Sequence, residues 1–427
     1  MAGTVVITAA RLIDGTGSAP INDAAIVVAG DQITAVGTRA AVQVPDGATT
    51  IDLGDRTLLP GLIDAHSHIT INPGLAGIIG QLEGINEVDT RQVLRGARNL
   101  RLDLASGVTT MRIVGEVHYN DVVIRDAIAD GYIVGPRLLI SGRAITSSNG
   151  HGSRVPPWIV DGPDEMRRVV REQFRMGCDF AKLIVTGRQY VRNAKEYLGF
   201  TEAEIAAAIE EAHRIGKKIG AHLRADLDTG LRICLQHGLD FTDHVFPIDQ
   251  ESIELYLAGG SIGVPTYTIA LQTQVDWNVL RGKSIAARLA HVRELDRQRL
   301  ARTDFNDTAI EARIRWIRER AAEDFLRSVA AGVPFCAGTD AMHGLFAHEL
   351  EIMVKWGLPA MDAIRSATLG AAQALDIADE TGSLVAGKAA DIIAVAGDPL
   401  ADITALGHVD FVMRAGERYE SAALTTE

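Results

Sequence analysis

Residues 58–68 read LLPGLIDAHSH, and this stretch decides the prediction of the fold. The apolar run over residues 58–66 is typical of a buried strand, and it ends in a histidine pair, His66 and His68. Side chains at positions i and i+2 of an extended segment point to the same side, so the two imidazoles can bind one metal ion. A histidine pair alone is a weak signal, and the other ligands have to come from elsewhere in the chain.

Between residues 60 and 375, strand-like runs alternate with helical patterns. The predicted strands are residues 58–66, 107–114, 137–141, 179–185, 218–222, 241–245, 261–267 and 333–339. Predicted helices lie between them, and the one over residues 202–215 has a capping box formed by Thr201 and Glu204. Eight strands alternating with helices predict an α/β protein with a closed (β/α)8 TIM barrel. The alternative is an open doubly wound sheet, which usually has a glycine-rich phosphate turn after its first strand. Here that strand ends in His-Ser-His instead.

Both ends of the chain carry short strand patterns. Short apolar runs separated by turn signals occur at residues 4–8, 24–29 and 32–36. Runs of the same kind occur at residues 390–396 and 409–414. We therefore predict a small β domain from residues 1–59 and 376–427, with the barrel at residues 60–375. Residues 269–309 form an unusually long connection between the seventh and eighth strands, either a lid or a surface insertion.

Composition excludes several classes of function. The chain of 427 residues has 42 Lys and Arg against 55 Asp and Glu, a net charge of −13, which disfavours nucleic acid and anionic membranes as partners. Its three cysteines are far apart, which excludes a disulfide framework or a thiolate zinc cluster and suits a reducing compartment. No signal-peptide pattern and no membrane-spanning apolar stretch are present, so we expect a cytoplasmic protein.

Residues at the carboxyl ends of barrel strands meet on one face, where active sites are built. Six ligand-type residues fall at such ends, on the first, fourth, fifth, sixth and eighth strands: His66, His68, Lys182, His222, His244 and Asp340. Lys182 lies within the apolar run FAKLIV, where a bare ammonium group is costly to bury. A lysine at a metal site can carry a carboxylate added by CO2. Together the six residues predict a metal site with nitrogen and oxygen ligands.

The pattern LPGLIDAHSH, AKLIVTG, AHLR, DHVF and GTD resembles the metal-dependent amidohydrolase superfamily, and the similarity runs through the whole chain. The chain ends are similar to the composite β-sandwich of that superfamily. Residues 204–222 are similar to its imidazolonepropionase-like and prolidase-like branch. That branch includes enzymes that release C-terminal residues from dipeptides or N-acyl amino acids, and enzymes that cleave ochratoxin-type amides. The resemblance also implies a homo-oligomer.

The resemblance implies a site with two divalent metal ions. His66, His68 and Asp340 hold the first ion, His222 and His244 hold the second, and a carboxylated Lys182 bridges them. A metal-bridging hydroxide then attacks the amide carbonyl, and Asp340 passes a proton to the departing amine. Zn2+ suits imidazole and carboxylate ligands, although such ligands also bind manganese, cobalt or iron.

Three further residues are candidates for substrate contacts. His151 follows the third strand in the sequence NGHG, similar to a Gly-His-Gly of the branch whose histidine contacts the scissile carbonyl. His343 lies soon after Asp340, in a His-Gly pair that resembles the branch. Arg224 stands where many branch members have tyrosine. It can form a bidentate pair with a substrate carboxylate, or a structural ion pair with a nearby aspartate.

The sequence therefore predicts a binuclear metal-dependent hydrolase that cleaves an amide bond in a small carboxylate-bearing molecule. An N-acyl amino acid, a dipeptide and an ochratoxin-like amide are the substrates considered first. The alternatives at the same site are a urea, a carbamate, a related xenobiotic bond or a cyclic amide. A non-catalytic scaffold is disfavoured because all six ligand positions are present.

Overall fold

The two ends of the chain form one sheet. The computed structural model describes residues 3–71, 87–148, 150–152, 157–188, 196–223, 228–245, 249–272, 277–280, 282–304 and 314–420. The strands of this end sheet are Thr4–Leu12, Ile21–Ala29, Gln32–Thr38, Thr49–Asp52, Arg56–Pro60, Ile392–Ala396, Val409–Arg414 and Glu417–Tyr419. Arg56–Pro60 pairs antiparallel with Ile392–Ala396, and this ladder joins the amino-terminal and carboxyl-terminal halves. Alternating apolar residues, including Ile7, Ile26 and Phe411, form the core of the sheet.

Seven regular parallel strands build most of the barrel wall. They are Leu62–Ser67, Val108–Ile113, Arg137–Ile140, Ala181–Ile184, Ile219–His222, Phe241–Asp243 and Ile262–Val264, here called barrel strands one to seven. The ladders run from the first strand to the third and from the fourth to the seventh. The third and fourth strands are joined by hydrogen bonds from the amides of Asp179 and Phe180 to the carbonyl of Ile140.

Residues 335–339 close the barrel as its eighth strand. Phe335 bridges Gly263 on one side. On the other side the amide of Ala65 donates to Ala337, and the amide of Thr339 donates to His66. This edge is not a regular ladder, since Pro334 has no amide hydrogen to donate. The predicted fold class, a (β/α)8 barrel with a small sheet built from both chain ends, is confirmed.

One predicted strand is two strands in the structure. Residues 58–66 are divided at Gly61, whose amide donates to Asp391 in the end sheet, whereas the amide of Leu62 donates to Gly107 in the barrel. A side chain at position 61 would place its Cβ atom 2.0 Å from Oγ1 of Thr109. Only glycine therefore fits where the chain passes from one sheet to the other.

Helices surround the barrel. The described α-helices are Asp89–Ala105, Asn120–Ala129, Pro163–Arg175, Glu202–Arg214, Asp228–Gln236, Gln250–Gly259, Tyr267–Gln272, Ile285–Ala301, Ala322–Ala330, Phe346–Trp356, Ala360–Ser366 and Leu369–Ala374. Shorter elements are the 3-10 turns Val117–Tyr119, Trp277–Leu280 and Ile403–Gly407, the π-helical turn Ile317–Ala321, and the small strands Ile145–Thr146, Trp158–Ile159, Thr186–Arg188 and Glu196–Leu198. The predicted capping box of Thr201 and Glu204 is present. No helix in these described segments combines the length and the apolar character that crossing a membrane requires.

The connection between the seventh and eighth strands is largely helical where it is described. Its longest helix, Ile285–Ala301, is fixed to helix Phe346–Trp356 by two buried or half-buried charge pairs. Arg293 makes a bidentate pair with Glu351 at 2.6 and 2.8 Å, and Nε2 of His348 lies 2.6 Å from Asp296. These contacts hold helix Ile285–Ala301 against helix Phe346–Trp356.

Candidate metal centre

The carboxyl ends of the first, sixth and eighth barrel strands bring three predicted ligands together. Within the described residues, one group of histidine and acidic side chains can hold a metal ion: His66, His244 and Asp340, with ligand atoms within 4.8 Å of one another. The ring of His222 continues this group, since its centroid lies 4.5 Å from that of His244. Barrel closure therefore places side chains from distant parts of the sequence around one point.

His66 is fully buried between two carboxylates. Its Nδ1 atom lies 3.0 Å from Oδ1 of Asp243, and its Nε2 atom lies 3.5 Å from Oδ1 of Asp340. Neither nitrogen makes a hydrogen bond with any described residue. Buried polar atoms normally have a partner, so this unsatisfied imidazole fits a residue that binds a metal ion.

His68 gives a second test of the fit to a metal ion. Its Nδ1 atom lies 2.7 Å from the carbonyl oxygen of Gly115, which can only accept, so Nδ1 carries a proton. The Nε2 lone pair then faces Oδ1 of Asp340 at 3.2 Å. Two acceptors at this distance need a proton or a cation between them. Without a metal ion the proton takes this place, because Asp340 outweighs the effect of burial and raises the pKa of His68.

Lys182 lies inside the barrel, and Asp243 contacts both it and His66. Its Nζ atom contacts Oδ2 of Asp243 in an ion pair with almost no exposure to solvent. Burial lowers the pKa of Lys182 to about 8, against the opposing attraction of Asp243. A substantial fraction of this amine is therefore neutral near pH 8, which is the form that reacts with CO2.

Asp243 and Arg112 are two central residues that the sequence analysis missed. Nη1 of Arg112 lies 3.0 Å from Oδ1 of Asp243 and 3.0 Å from the carbonyl oxygen of Ala65, next to His66. The guanidinium is fully buried between the rings of Phe180 and Phe241. Although burial favours the neutral acid, Arg112 and Lys182 hold the pKa of Asp243 well below its usual range. The available signal was an arginine inside the apolar run VTTMRIV.

The loop that presents Asp340 is strained and tightly held. Asp340 and Ala341 have φ angles of 57° and 65°, in the left-handed region that non-glycine residues seldom adopt. The amide of Asp340 donates to the carbonyl of His66 at 2.8 Å. The buried carboxylate of Asp64 accepts hydrogen bonds from the Thr339 amide at 3.1 Å and from the Thr339 hydroxyl at 2.5 Å. These contacts fix the direction of the Asp340 side chain.

Asp340 is a carboxylate in this setting. Burial by itself raises its pKa, but the neighbouring imidazoles of His66, His68 and His244 hold the pKa of Asp340 well below its usual range. A carboxylate at this position can bind a cation or accept a proton.

The three predicted substrate residues have different positions. His151 stacks on the ligand candidate His222, with ring centroids 5.1 Å apart and planes inclined by 25°. His343 is buried, and its Nδ1 atom lies 2.7 Å from Oδ2 of Asp103; within the described part of the chain it makes no hydrogen bond or ring contact with the six predicted metal ligands. Arg224 lies outside the described residues.

Known proteins share both the sequence pattern and the fold. The model of the amidohydrolase family matches residues 57–419. Ochratoxinase from Aspergillus niger is 27% identical over 440 aligned residues, which cover 94% of this chain and 83% of the relative. Imidazolonepropionase from Paracoccus denitrificans is 26% identical over 269 residues, which cover 57% of this chain and 65% of that protein.

Two solved structures superpose on almost the whole chain. A Xaa-Pro dipeptidase with methionine bound in its active site gives a TM-score of 0.80 at 28% identity, covering 98% of this chain and 100% of the other. The A. niger ochratoxinase structure gives a TM-score of 0.79 at 26% identity, covering 98% and 96%. These matches confirm the resemblance found in the sequence.

Proposed function

The chain belongs to the amidohydrolase family and is a hydrolase of carbon–nitrogen bonds, and we propose that it cleaves an amide in a small carboxylate-bearing substrate at a centre of two divalent metal ions. The observation that carries this proposal is the convergence of His66, His244 and Asp340 at the carboxyl ends of three barrel strands. The relatives support the substrate class, since one is named for an ochratoxin and another is a dipeptidase with an amino acid in its active site.

The donor set suits two ions, most simply Zn2+. We assign the first ion to His66, His68 and Asp340, and the second to His222 and His244. Imidazole and carboxylate donors match the preferences of zinc. The three cysteines are buried, and none of them is assigned as a ligand of either ion. When bound, such ions polarise a carbonyl group and lower the pKa of a water molecule to about 7.

In this proposal Lys182, as a carbamate, would supply ligand atoms to both ions. The ammonium group first loses a proton, and the neutral amine then adds to CO2 with formation of a nitrogen–carbon bond and release of a second proton. Two protons therefore leave in total as the buried cation becomes an anion. Arg112 also contacts the carboxylate of Asp243, so Asp243 keeps a cationic partner when Lys182 loses its positive charge. Converting Lys182 to an anion would remove its ammonium charge from the barrel interior and would offer two further oxygen donors.

The chain itself supplies proton transfer and orientation. Asp340 accepts the proton of the attacking water and delivers it to the departing amine, since its carboxylate is held in one direction by the loop around Thr339. His151, which stacks on His222, is assigned the contact with the scissile carbonyl. Arg224 is the candidate for recognition of the substrate carboxylate.

A comparison of paired substrates tests the proposal. Metal-replete enzyme is given N-acyl amino acids and the same compounds with the carboxylate blocked as a primary amide. We expect kcat/KM to be tenfold to a hundredfold higher for the free acids, because a hydrogen bond to a charged group contributes about 1.5–3 kcal/mol. Arg224→Met should remove this preference if Arg224 recognises the carboxylate. Equal rates for both members of each pair would eliminate the carboxylate requirement, and faster turnover of ureas or carbamates would support the alternative bond.

A further inference from the structure

His244 and Thr266 are hydrogen-bonded to each other, and both have strained backbones. Nδ1 of His244 lies 2.7 Å from Oγ1 of Thr266, the second residue after the seventh barrel strand. Their φ angles are 71° and 51°, in the left-handed region. For a β-branched residue such as threonine this conformation is a genuine outlier, and it costs about 1–3 kcal/mol. Thr266 is also fully buried, so its neighbours have to hold it in place.

Glu349 holds the chain immediately after Thr266. Its carboxylate projects from helix Phe346–Trp356 and is completely buried. It accepts hydrogen bonds from the amide of Tyr267 at 2.7 Å, the amide of Thr268 at 2.6 Å and the hydroxyl of Thr268 at 2.7 Å. Three donors on two consecutive residues fix the direction in which the chain leaves Thr266.

The hydrogen bond to Thr266 determines how the His244 ring can act. When Nδ1 carries the proton it donates to the threonine hydroxyl, and the lone pair of Nε2 is left for a metal ion. The main chain of His244 is held independently, since its amide donates to the carbonyl of Val264 at 2.9 Å. Thr266 therefore sets the rotation of the ring, whereas the backbone sets its position.

We propose that Thr266 and Glu349 are positioning residues that fix the imidazole of His244 and thereby set the affinity of the second metal position. The carboxylate of Glu349 holds the backbone that follows Thr266, and Thr266 in turn is hydrogen-bonded to the ring of His244. This inference rests on the proposed function, because it takes His244 as a metal ligand. Residues that hydrogen-bond to a metal ligand typically change the metal affinity by tenfold to a hundredfold when they are mutated.

The same helix offers a matched control. Glu351 is also a buried carboxylate, but it pairs with Arg293 and His348 on the side of helix Ile285–Ala301. Loss of its charge should affect stability without changing the His244 ring. Thr266→Val removes the hydroxyl but keeps the β-branched shape, and Thr266→Ser keeps the hydroxyl.

The test is a titration of the metal-free full chain with Co2+, followed by the visible absorption of the bound ion. We expect Thr266→Val and Glu349→Gln to weaken the second cobalt site by tenfold to a hundredfold and to change its absorption bands. Thr266→Ser should stay within about threefold of the parent, and Glu351→Gln should bind cobalt like the parent. Circular dichroism shows which variants fold. If Thr266→Val does not fold, the cobalt affinity of Glu349→Gln decides the test.

Parental affinity and an unchanged spectrum in folded Thr266→Val or Glu349→Gln would overturn the inference. The variant His244→Asn separates this result from failure of the proposed function. If His244→Asn loses one cobalt ion while the folded positioning variants do not, only the positioning role is wrong. If the parent binds no cobalt, or His244→Asn binds as the parent does, the assignment of His244 as a ligand fails and the inference fails with it.

Discussion

Nε2 of His68 lies 3.2 Å from Oδ1 of Asp340, although the two residues come from the first and eighth strands of the barrel. Closure of the barrel makes these strands neighbours, and the amide of Asp340 donates to the carbonyl of His66. Because Nδ1 of His68 already donates to Gly115, a proton or a cation has to lie between the two side chains. This pair links the fold to the proposed chemistry.

Asp340→Asn should preserve the fold and lose turnover. Asparagine tolerates the left-handed backbone of residue 340 better than most residues, so the loop should keep its shape. An amide cannot accept the proton in transfer, and we expect kcat to fall by about 10²–10⁴-fold. Steady-state kinetics with metal-replete protein and near-ultraviolet circular dichroism check both parts. Parental turnover in a folded, metal-loaded variant would refute the assigned role of Asp340.

Asp243→Asn should be strongly destabilising. In metal-free protein, in which Lys182 is an uncarboxylated amine, the substitution leaves the buried cations Arg112 and Lys182 without their shared carboxylate, and breaking a buried pair in this way costs about 3–5 kcal/mol. The midpoint of urea unfolding measures the change. Glu294→Gln, which breaks an exposed pair with Arg297, is the control and should leave the midpoint unchanged. Equal midpoints for both variants would contradict the central position of Asp243.

Site residues could be predicted from the sequence where the residue type and its position in a strand were enough to indicate a metal ligand. A histidine or aspartate that ends a strand indicates the active face of a barrel, and five of the six ligand candidates were proposed on that signal. Lys182 was proposed because it lies within an apolar run. Arg112 and Asp243 were missed because their partnership depends on contact between the second and sixth strands, which no local pattern records. In addition, the adjacent His244 is the more familiar ligand type, so it was chosen as the candidate instead of Asp243.

Stability should fall in alkaline solution because of His348. Its ring is buried between Asp296 and Glu351, and these carboxylates outweigh burial and raise the pKa of His348 to about 9. A folded-state pKa above the unfolded value of about 6.5 means that the stabilisation is fully present below pH 6.5 and is lost as pH rises through 9. The contribution is on the order of 3 kcal/mol. Urea midpoints measured between pH 6 and 10 record the loss.

Two histidine variants separate this effect from others. His348→Gln should flatten the decline between pH 6.5 and 9. His213→Gln removes an exposed histidine that pairs with Asp240, and it should keep the parental profile. A parental decline in His348→Gln would show that another group causes it.

His343 should prove more important for stability than for substrate affinity. It was predicted to contact substrate, but its buried ring bonds to Asp103, whose carboxylate also accepts from the amide of Gly344 at 2.9 Å. His343→Ala leaves that carboxylate short of a partner, which costs about 1–3 kcal/mol, and His343→Asn can restore the donor. We expect KM to stay within about threefold in both. A tenfold rise in KM for stable His343→Asn would support the substrate role.

Backbone conformation was the least predictable feature. The positions of the eight strands followed from apolar runs and flanking helices, but nothing in the sequence indicates positive φ angles at His244, Thr266 and Asp340. These conformations are imposed by tertiary contacts such as those of Glu349 and Asp64. The division of the first predicted strand at Gly61 likewise depends on a contact with Thr109 that only the folded chain makes.

The metal content of the purified chain tests the central claim most directly. Elemental analysis of folded, catalytically active protein should give close to two divalent ions per chain, with zinc the main element. Removal of the ions by a chelator should abolish amide hydrolysis and lower the unfolding midpoint, because an ion at 100 times its Kd adds about 2.7 kcal/mol of stability. A folded chain that hydrolyses amides at full rate with no bound metal would contradict the account.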